Sequence, residues 1–260
     1  MKALEGSVAL VTGASRQRGI GAAICHELGD HGAAVFFTHW SPYDDTMPWG
    51  SDADAPEQLA ASLAEGGIRC AHASMDLSRP AAAVEALDAA ERSLGAVSIL
   101  VNNATHSTRD GFERLDAATL DAHYAVNIRG TFLLSVEFAR RFAGAGGGRI
   151  INLTTGISHG PMPRELAYAS TKAAVEGFTV TLAAEVASRG ITVNAVNPGV
   201  TNSGWLESGE AAAMRSRFPR KRLGEPEDAA RLVRFLASPD AEWITGQVIH
   251  SDGGFRPAFN

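Results

Sequence analysis

The stretch from Val8 to Leu28, VALVTGASRQRGIGAAICHEL, constrains the fold more than any other part of the chain. Val8 to Thr12 are a short, apolar, branched run of the kind that forms a strand covered on both faces. A glycine-punctuated turn follows at once, after which Ile20, Ala23, Ile24 and Leu28 recur at helical spacing. Strand, turn and helix in this order carry backbone N–H groups and the positive end of a helix to the carboxyl edge of a parallel sheet, where an anion can be held. Gly13, Gly19 and Gly21 suit a turn in which a side chain would block either the chain or an approaching pyrophosphate. The same glycines also suit a tightly packed helix start, so the turn needs support from the rest of the sequence.

That support is an alternation of strand-like and helix-like segments along the whole chain. Further short apolar runs lie at Ala34–Thr38, Ile68–Ala73, Ser98–Val101, Arg149–Leu153 and Ile191–Val196, with a seventh strand expected after Trp243. Between them, helical patterns run from about Glu57 to Glu65, from Pro80 to Arg92 with Val84 and Leu87 inward, and from Leu120 to Phe142. A last helix near Pro226 turns Ala229, Ala230, Val233 and Leu236 inward. Repeated βα units predict a single α/β domain over residues 1–260, a Rossmann-type, doubly wound, seven-stranded and mainly parallel sheet. Residues 40–56, WSPYDDTMPWGSDADAP, interrupt the pattern as an irregular insert. Its Trp40, Tyr43 and Trp49 are too many aromatics for a solvated loop. They are expected to anchor it against the body or a neighbouring subunit, with a cofactor flap as the other role.

A net charge of −6 argues against a nucleic-acid partner and against an anionic membrane surface. No apolar run approaches a bilayer span, and the chain enters its first strand without a basic leader, so a cytoplasmic protein is expected. Cys25 and Cys70 read as small core thiols rather than a disulfide, and no metal site is expected.

The chemistry-bearing group lies after the fifth run. Tyr168 and Lys172 are four residues apart in a segment that turns helical by Ala173, which places phenol and ammonium on one face. A cation there would lower the phenol from its ordinary value of about 10. Thr155 stands just after the fifth strand, and Asn127 interrupts a helical pattern in which asparagine is disfavoured. With the first turn and the Asn102-Asn103-Ala104-Thr105 segment, these residues make the chain resemble the classical short-chain dehydrogenases/reductases, bacterial 3-oxoacyl-acyl-carrier-protein reductases among them. The resemblance covers nearly the whole chain. Departures are two extra residues in the glycine-rich turn, Thr105 in place of a glycine, and Thr155 in place of a serine.

The resemblance implies reversible hydride transfer between NADP(H) and a ketone or secondary alcohol, a 3-oxoacyl thioester being one candidate. Tyr168 would be the proton donor, Lys172 would hold the nicotinamide ribose, Thr155 would bind the substrate oxygen and Asn127 would position a relay water. Ser158 is an alternative to Thr155. Cofactor contacts are expected from Gly13, Ser15, Arg16, Arg18, Gly19 and Ile20, then Asp76, Leu77, Asn103 and Ala104, and from Pro198, Gly199, Val200 and Thr201. The second strand ends in Thr38-His39-Trp40 without an acid, while Arg16, Arg18 and His39 are at hand, which favours NADP(H) over NAD(H). Residues 202–222 resemble a substrate lid, and a homotetramer is implied. The competing functions are an NAD-dependent alcohol or sugar dehydrogenase and a dinucleotide-binding regulatory protein with little turnover.

Overall fold

The computed structural model describes residues 2–47, 49–144, 146–206 and 208–255, so the insert and the 202–222 segment are described apart from Pro48 and Glu207. Each apolar run becomes a strand: β1 (Val8–Val11), β2 (Ala34–His39), β3 (Cys70–Ser74), β4 (Ile99–Asn102), β5 (Gly148–Leu153), β6 (Ile191–Asn197) and β7 (Val248–His250). They form one sheet in the order β3-β2-β1-β4-β5-β6-β7, with every pairing parallel. The chain leaves β3 at one edge and crosses back to β4 beside β1, so a crevice opens where their carboxyl ends part.

The helices are α1 (Ile20–Asp30), α2 (Ser41–Asp45), α3 (Ala55–Glu65), α4 (Ala82–Leu94), α5 (Ala117–His123), α6 (Thr131–Arg141), α7 (Leu166–Val186), α8 (Ser208–Arg215) and α9 (Pro226–Ala237). Successive strand residues point to opposite faces, and the core divides accordingly. Ala9, Val11, Val35 and Phe37 pack with α1, α3 and α9, whereas Val8, Leu10, Ala34 and Phe36 pack with α4, α6 and α7. Cys25 is buried in the first of these clusters, and Cys70 is partly buried beside it; both are free thiols. Among the described residues no helix is long and apolar enough to cross a membrane.

Three details depart from the sequence pattern. Val84 is 44% exposed rather than inward, because α4 turns its small residues Ala83, Ala86 and Ala90, with Leu87, onto the sheet. The insert is not wholly irregular, since it contains α2 and its end begins α3. The expected helix from Leu120 to Phe142 divides into α5, a π-helical stretch Tyr124–Gly130 and α6. Asn127 lies within the π-helical stretch, where a helix departs from the regular i→i−4 ladder.

Candidate functional site

A cavity of about 890 Å³ opens at the carboxyl ends of β1, β2, β4, β5 and β6, within the range of roughly 300–1,000 Å³ usual for small-molecule sites. Its first wall is the glycine-rich turn, where Gly13, Ser15, Arg16, Gly19 and Ile20 all line the space. Gly13 has φ +73° and a Cβ there would lie 2.6 Å from Ala104 Cα; one on Gly21 would lie 2.6 Å from the Gly13 carbonyl oxygen. These two glycines are required by the packing of the turn itself. The α1 helix that follows begins without a capping side chain and has no acid in its first turn. That donor set fits a dinucleotide pyrophosphate.

The wall continues through the strand ends. Thr12, which the sequence reading did not single out, accepts from the backbone N–H groups of Asn103 and Ala104 at 3.0 Å each. The Asn103 side-chain amide donates back to the carbonyls of Thr12 and Gly13 at 2.9 Å, tying two loops together. Asp76 and Leu77 line the cavity, with Asp76 also accepting from the Ser78 N–H at 2.9 Å. Pro198 to Thr201 complete this side.

His39 lines the cavity at the end of β2 and meets His72 at 3.3 Å, while His72 lies 2.8 Å from Glu57. Burial, followed by His72, pushes the His39 imidazole below its ordinary value, so it is neutral near pH 7. Arg16 is brought to the cavity. Arg18 is not: it is exposed and forms no part of the wall.

At the other end, Thr155 and Tyr168 line the cavity together, whereas Ser158 does not. Burial, and then the charge of Glu165, push the Tyr168 phenol above its ordinary value, and a hydrogen bond with Thr155 pulls it partly back. Lys172 is buried behind this wall at 4% exposure, where its ammonium donates to the Leu153 carbonyl at 2.8 Å. Burial pushes Lys172 down to about 8. Proximity in sequence thus does not lower the phenol as expected, since desolvation outweighs a cation whose nitrogen lies 5.8 Å from the ring centroid.

Asn127 also lies behind the wall, 1% exposed. Its carbonyl oxygen accepts from Thr105 Oγ1 at 3.1 Å and from the His106 N–H at 2.7 Å. Its amide donates to the His106 carbonyl at 2.8 Å and to Thr171 Oγ1 at 3.0 Å. Both donors and both ordinary acceptor positions are used. The side chain therefore braces the loop after β4 against α7. Thr105, which stands where a glycine was expected, is one of the braces.

Asp110 is a positioning group that sequence spacing did not reveal. Its carboxylate accepts from the N–H groups of Leu166 and Ala167 at 2.7 and 2.8 Å, satisfying the first turn of the helix that carries Tyr168 and Lys172. The insert was underestimated too. Tyr43 donates to the Ser107 carbonyl at 2.9 Å and accepts from its N–H at 3.2 Å, an anchor to the body as expected. However, Trp40, Tyr43, Asp44 and Trp49 all line the cavity as well. The surplus of aromatics was the signal, but its direction was not readable. His159, His250 and Asp252 also gather, with potential ligand atoms within 4.8 Å. His159 Nδ1 lies 3.1 Å from Asp252, and the Asn197 amide nitrogen is 3.0 Å from His250.

Comparison with known proteins places this geometry in context. The family profile described as enoyl-(acyl carrier protein) reductase matches residues 13–256. An uncharacterized oxidoreductase of Bacillus subtilis is 50% identical over 250 residues, covering 95% of this chain and 96% of its own. A 3-oxoacyl-[acyl-carrier-protein] reductase of Pseudomonas aeruginosa is 37% identical over 256 residues, with 96% and 98% covered. A short-chain dehydrogenase of Burkholderia cenocepacia, solved in complex with NADP, superposes with TM-score 0.87 at 34% identity and covers 97% of this chain and 98% of that one.

Proposed function

The chain belongs to the short-chain dehydrogenase/reductase family, and on that premise we propose that it transfers a hydride between NADP(H) and a ketone or secondary alcohol. The observation that carries this reading is the meeting of Tyr168 and Thr155 at one cavity wall, with Lys172 directly behind them and the uncapped α1 N-terminus across the cleft. In reduction the cofactor supplies a hydride to the carbonyl carbon, and negative charge develops on the oxygen. Tyr168 donates a proton to that oxygen, while the Thr155 hydroxyl holds it in place. From behind the wall, Lys172 would hold the nicotinamide ribose hydroxyls once its ammonium turns from the Leu153 carbonyl. Asn127 acts through the loop and helix that it braces. In oxidation Tyr168 takes the proton back.

NADP(H) is favoured by the lack of an acid at the end of β2 and by the Arg16 guanidinium in the turn. The NADP-bound neighbour is consistent with this preference. We place the substrate chain at the mouth, where Met162, Trp205, Leu206 and Met214 supply apolar surface suited to an acyl or other apolar ketone, a 3-oxoacyl thioester among them. Exposed Leu120, Tyr124, Leu133 and Val180 on the outer helices, and Trp243 at 96% exposure, offer apolar surface for association with further copies of the chain, as the homotetramer implied by the family resemblance requires. The free thiols suit a cytoplasmic setting.

Paired titrations with NADPH and NADH, followed by NADPH oxidation against a panel of 3-oxoacyl thioesters, ketones and aldehydes, test this function. Tighter NADPH binding and turnover of a carbonyl compound are expected. Equal or tighter NADH binding would overturn the cofactor assignment, and cofactor binding without turnover of any carbonyl or alcohol would favour the regulatory alternative. Light scattering in solution checks the tetramer.

A further inference from the structure

Three segments that are remote in sequence meet at one guanidinium. Arg16, from the glycine-rich turn, donates through Nη1 to the Ser203 carbonyl at 3.0 Å. Its Nε lies 3.7 Å from the Asp44 carboxylate, and its Cζ lies 4.5 Å from the ring centroid of Trp49. Asp44 is only 3% exposed and accepts from Trp49 Nε1 at 2.9 Å. Trp49 in turn meets Trp205, their ring centroids 5.1 Å apart. Turn, insert and 202–222 segment are thus linked across the mouth of the cavity, and all five side chains or backbone groups in the chain of contacts belong to residues that line it.

An ordinary surface arginine would be solvated and mobile. Here a buried carboxylate, an aromatic face and a backbone carbonyl each restrict it, and such contacts strengthen as water is removed. The Asp44 charge is also balanced locally, so the acidic insert does not present an unopposed anion to a bound phosphate. Trp49 is the shared member: its N–H orients Asp44, its face receives Arg16 and its ring packs at a tilt against Trp205.

We propose that Asp44 and Trp49 are positioning residues that hold Arg16 over the dinucleotide cleft, and that contact with Trp205 makes retention of the cofactor and closure of the 202–222 segment a single coupled event. This rests on the dinucleotide-binding function proposed above. Opening the cleft then requires the Arg16, Trp49 and Trp205 contacts to part together. Loss of any one ring should speed cofactor escape, and loss of the second should add little.

The test is the dissociation rate of NADPH, measured by displacement and followed through the nicotinamide's own emission, in wild type, Trp49→Leu, Trp205→Leu, the double variant and Trp49→Phe. About tenfold faster release is expected for each leucine variant, with the double variant within about threefold of either, as expected for members of one contact network. Trp49→Phe keeps a ring for Arg16 and Trp205 but loses the N–H that orients Asp44, so its release should fall between wild type and Trp49→Leu. The carbonyl-substrate KM should rise in Trp49→Leu while kcat holds or increases. Unliganded melting temperatures of the variants check that the fold is intact; if Trp49→Leu fails to fold, Trp205→Leu alone and combined with Trp49→Phe carry the comparison. Release unchanged in the single variants, or effects that multiply in the double variant, would overturn the coupling. Failure of the wild type to bind either dinucleotide would overturn the proposed function itself.

Discussion

The Lys172 ammonium lies 5.8 Å from the centroid of the Tyr168 ring and gives its hydrogen bond to the Leu153 carbonyl. Burial pushes the lysine down to about 8 and the phenol above its ordinary value, so each group resists its charged form. Both effects follow from burial of the two groups at and behind the cavity wall.

Lys172 should therefore weaken the fold at neutral pH. Between about 8 and 10.5 the unfolded chain holds a proton that the folded chain has lost, so this group makes stability rise with pH across that window. The shift corresponds to about 3 kcal/mol, an upper figure for a lysine that keeps one hydrogen bond. Lys172→Met is expected to unfold at higher denaturant than wild type at pH 7, with the advantage shrinking toward pH 10.5. A pH series of urea melts reads it, and a variant less stable at pH 7 would show that the bond to Leu153 outweighs desolvation.

Tyr168→Phe should lower kcat/KM by about a thousandfold or more, since both proton transfer and a donor to the developing oxyanion are lost. NADPH affinity should change less than about threefold, because the ring remains. Thr155→Ser is expected to retain most activity and Thr155→Ala to lose about a hundredfold. Steady-state kinetics with equilibrium cofactor titration separates these effects, and normal turnover in Tyr168→Phe would remove it as the acid.

Asn127→Ala removes four hydrogen bonds at a site 1% exposed. Stranding the His106 backbone groups is expected to cost about 3 kcal/mol, read from denaturant midpoints. A loss below about 0.5 kcal/mol would mean that water or a shifted loop replaces the brace.

Asp110→Ala leaves the first turn of α7 without its carboxylate acceptor. We expect a stability loss of about 1–2 kcal/mol and a fall in kcat larger than the change in cofactor affinity, because α7 carries Tyr168 into the cavity. Asp110→Asn, which retains one acceptor, should recover part of both.

Burial and the neighbouring His123 push His106 down to about 4, so the folded chain refuses a proton that the unfolded chain accepts near 6.5. Stability should fall as pH drops from about 6.5 to about 4, and His106→Gln should flatten that slope. Melts at stepped pH values check this, and an unchanged slope would assign the acid sensitivity elsewhere.

Much of the frame was legible because its strands are continuous runs such as VALV and ILV, which only a doubly covered sheet accommodates. Tyr168, Thr155 and the turn glycines were legible for a related reason: each sits within a few residues of a strand end or helix start. What stayed hidden depends on partners far along the chain. Asn127 is braced from residues 21, 22 and 44 positions away, Asp110 caps a helix 56 positions on, and Arg16 reaches Ser203 across 187. Val84 misled because a β-branched residue suggests an inward face, whereas close helix-to-sheet packing selected the alanines beside it.

The insert leaves the chain after the last pairing residue of β2 and rejoins it before Leu59 and Leu63, the core leucines of α3. Its length can drift over generations without shifting a strand register or emptying the interior. Substitutions there would reshape the entrance to the cavity while leaving the strand end that bears Thr155 and the helix that bears Tyr168 in place.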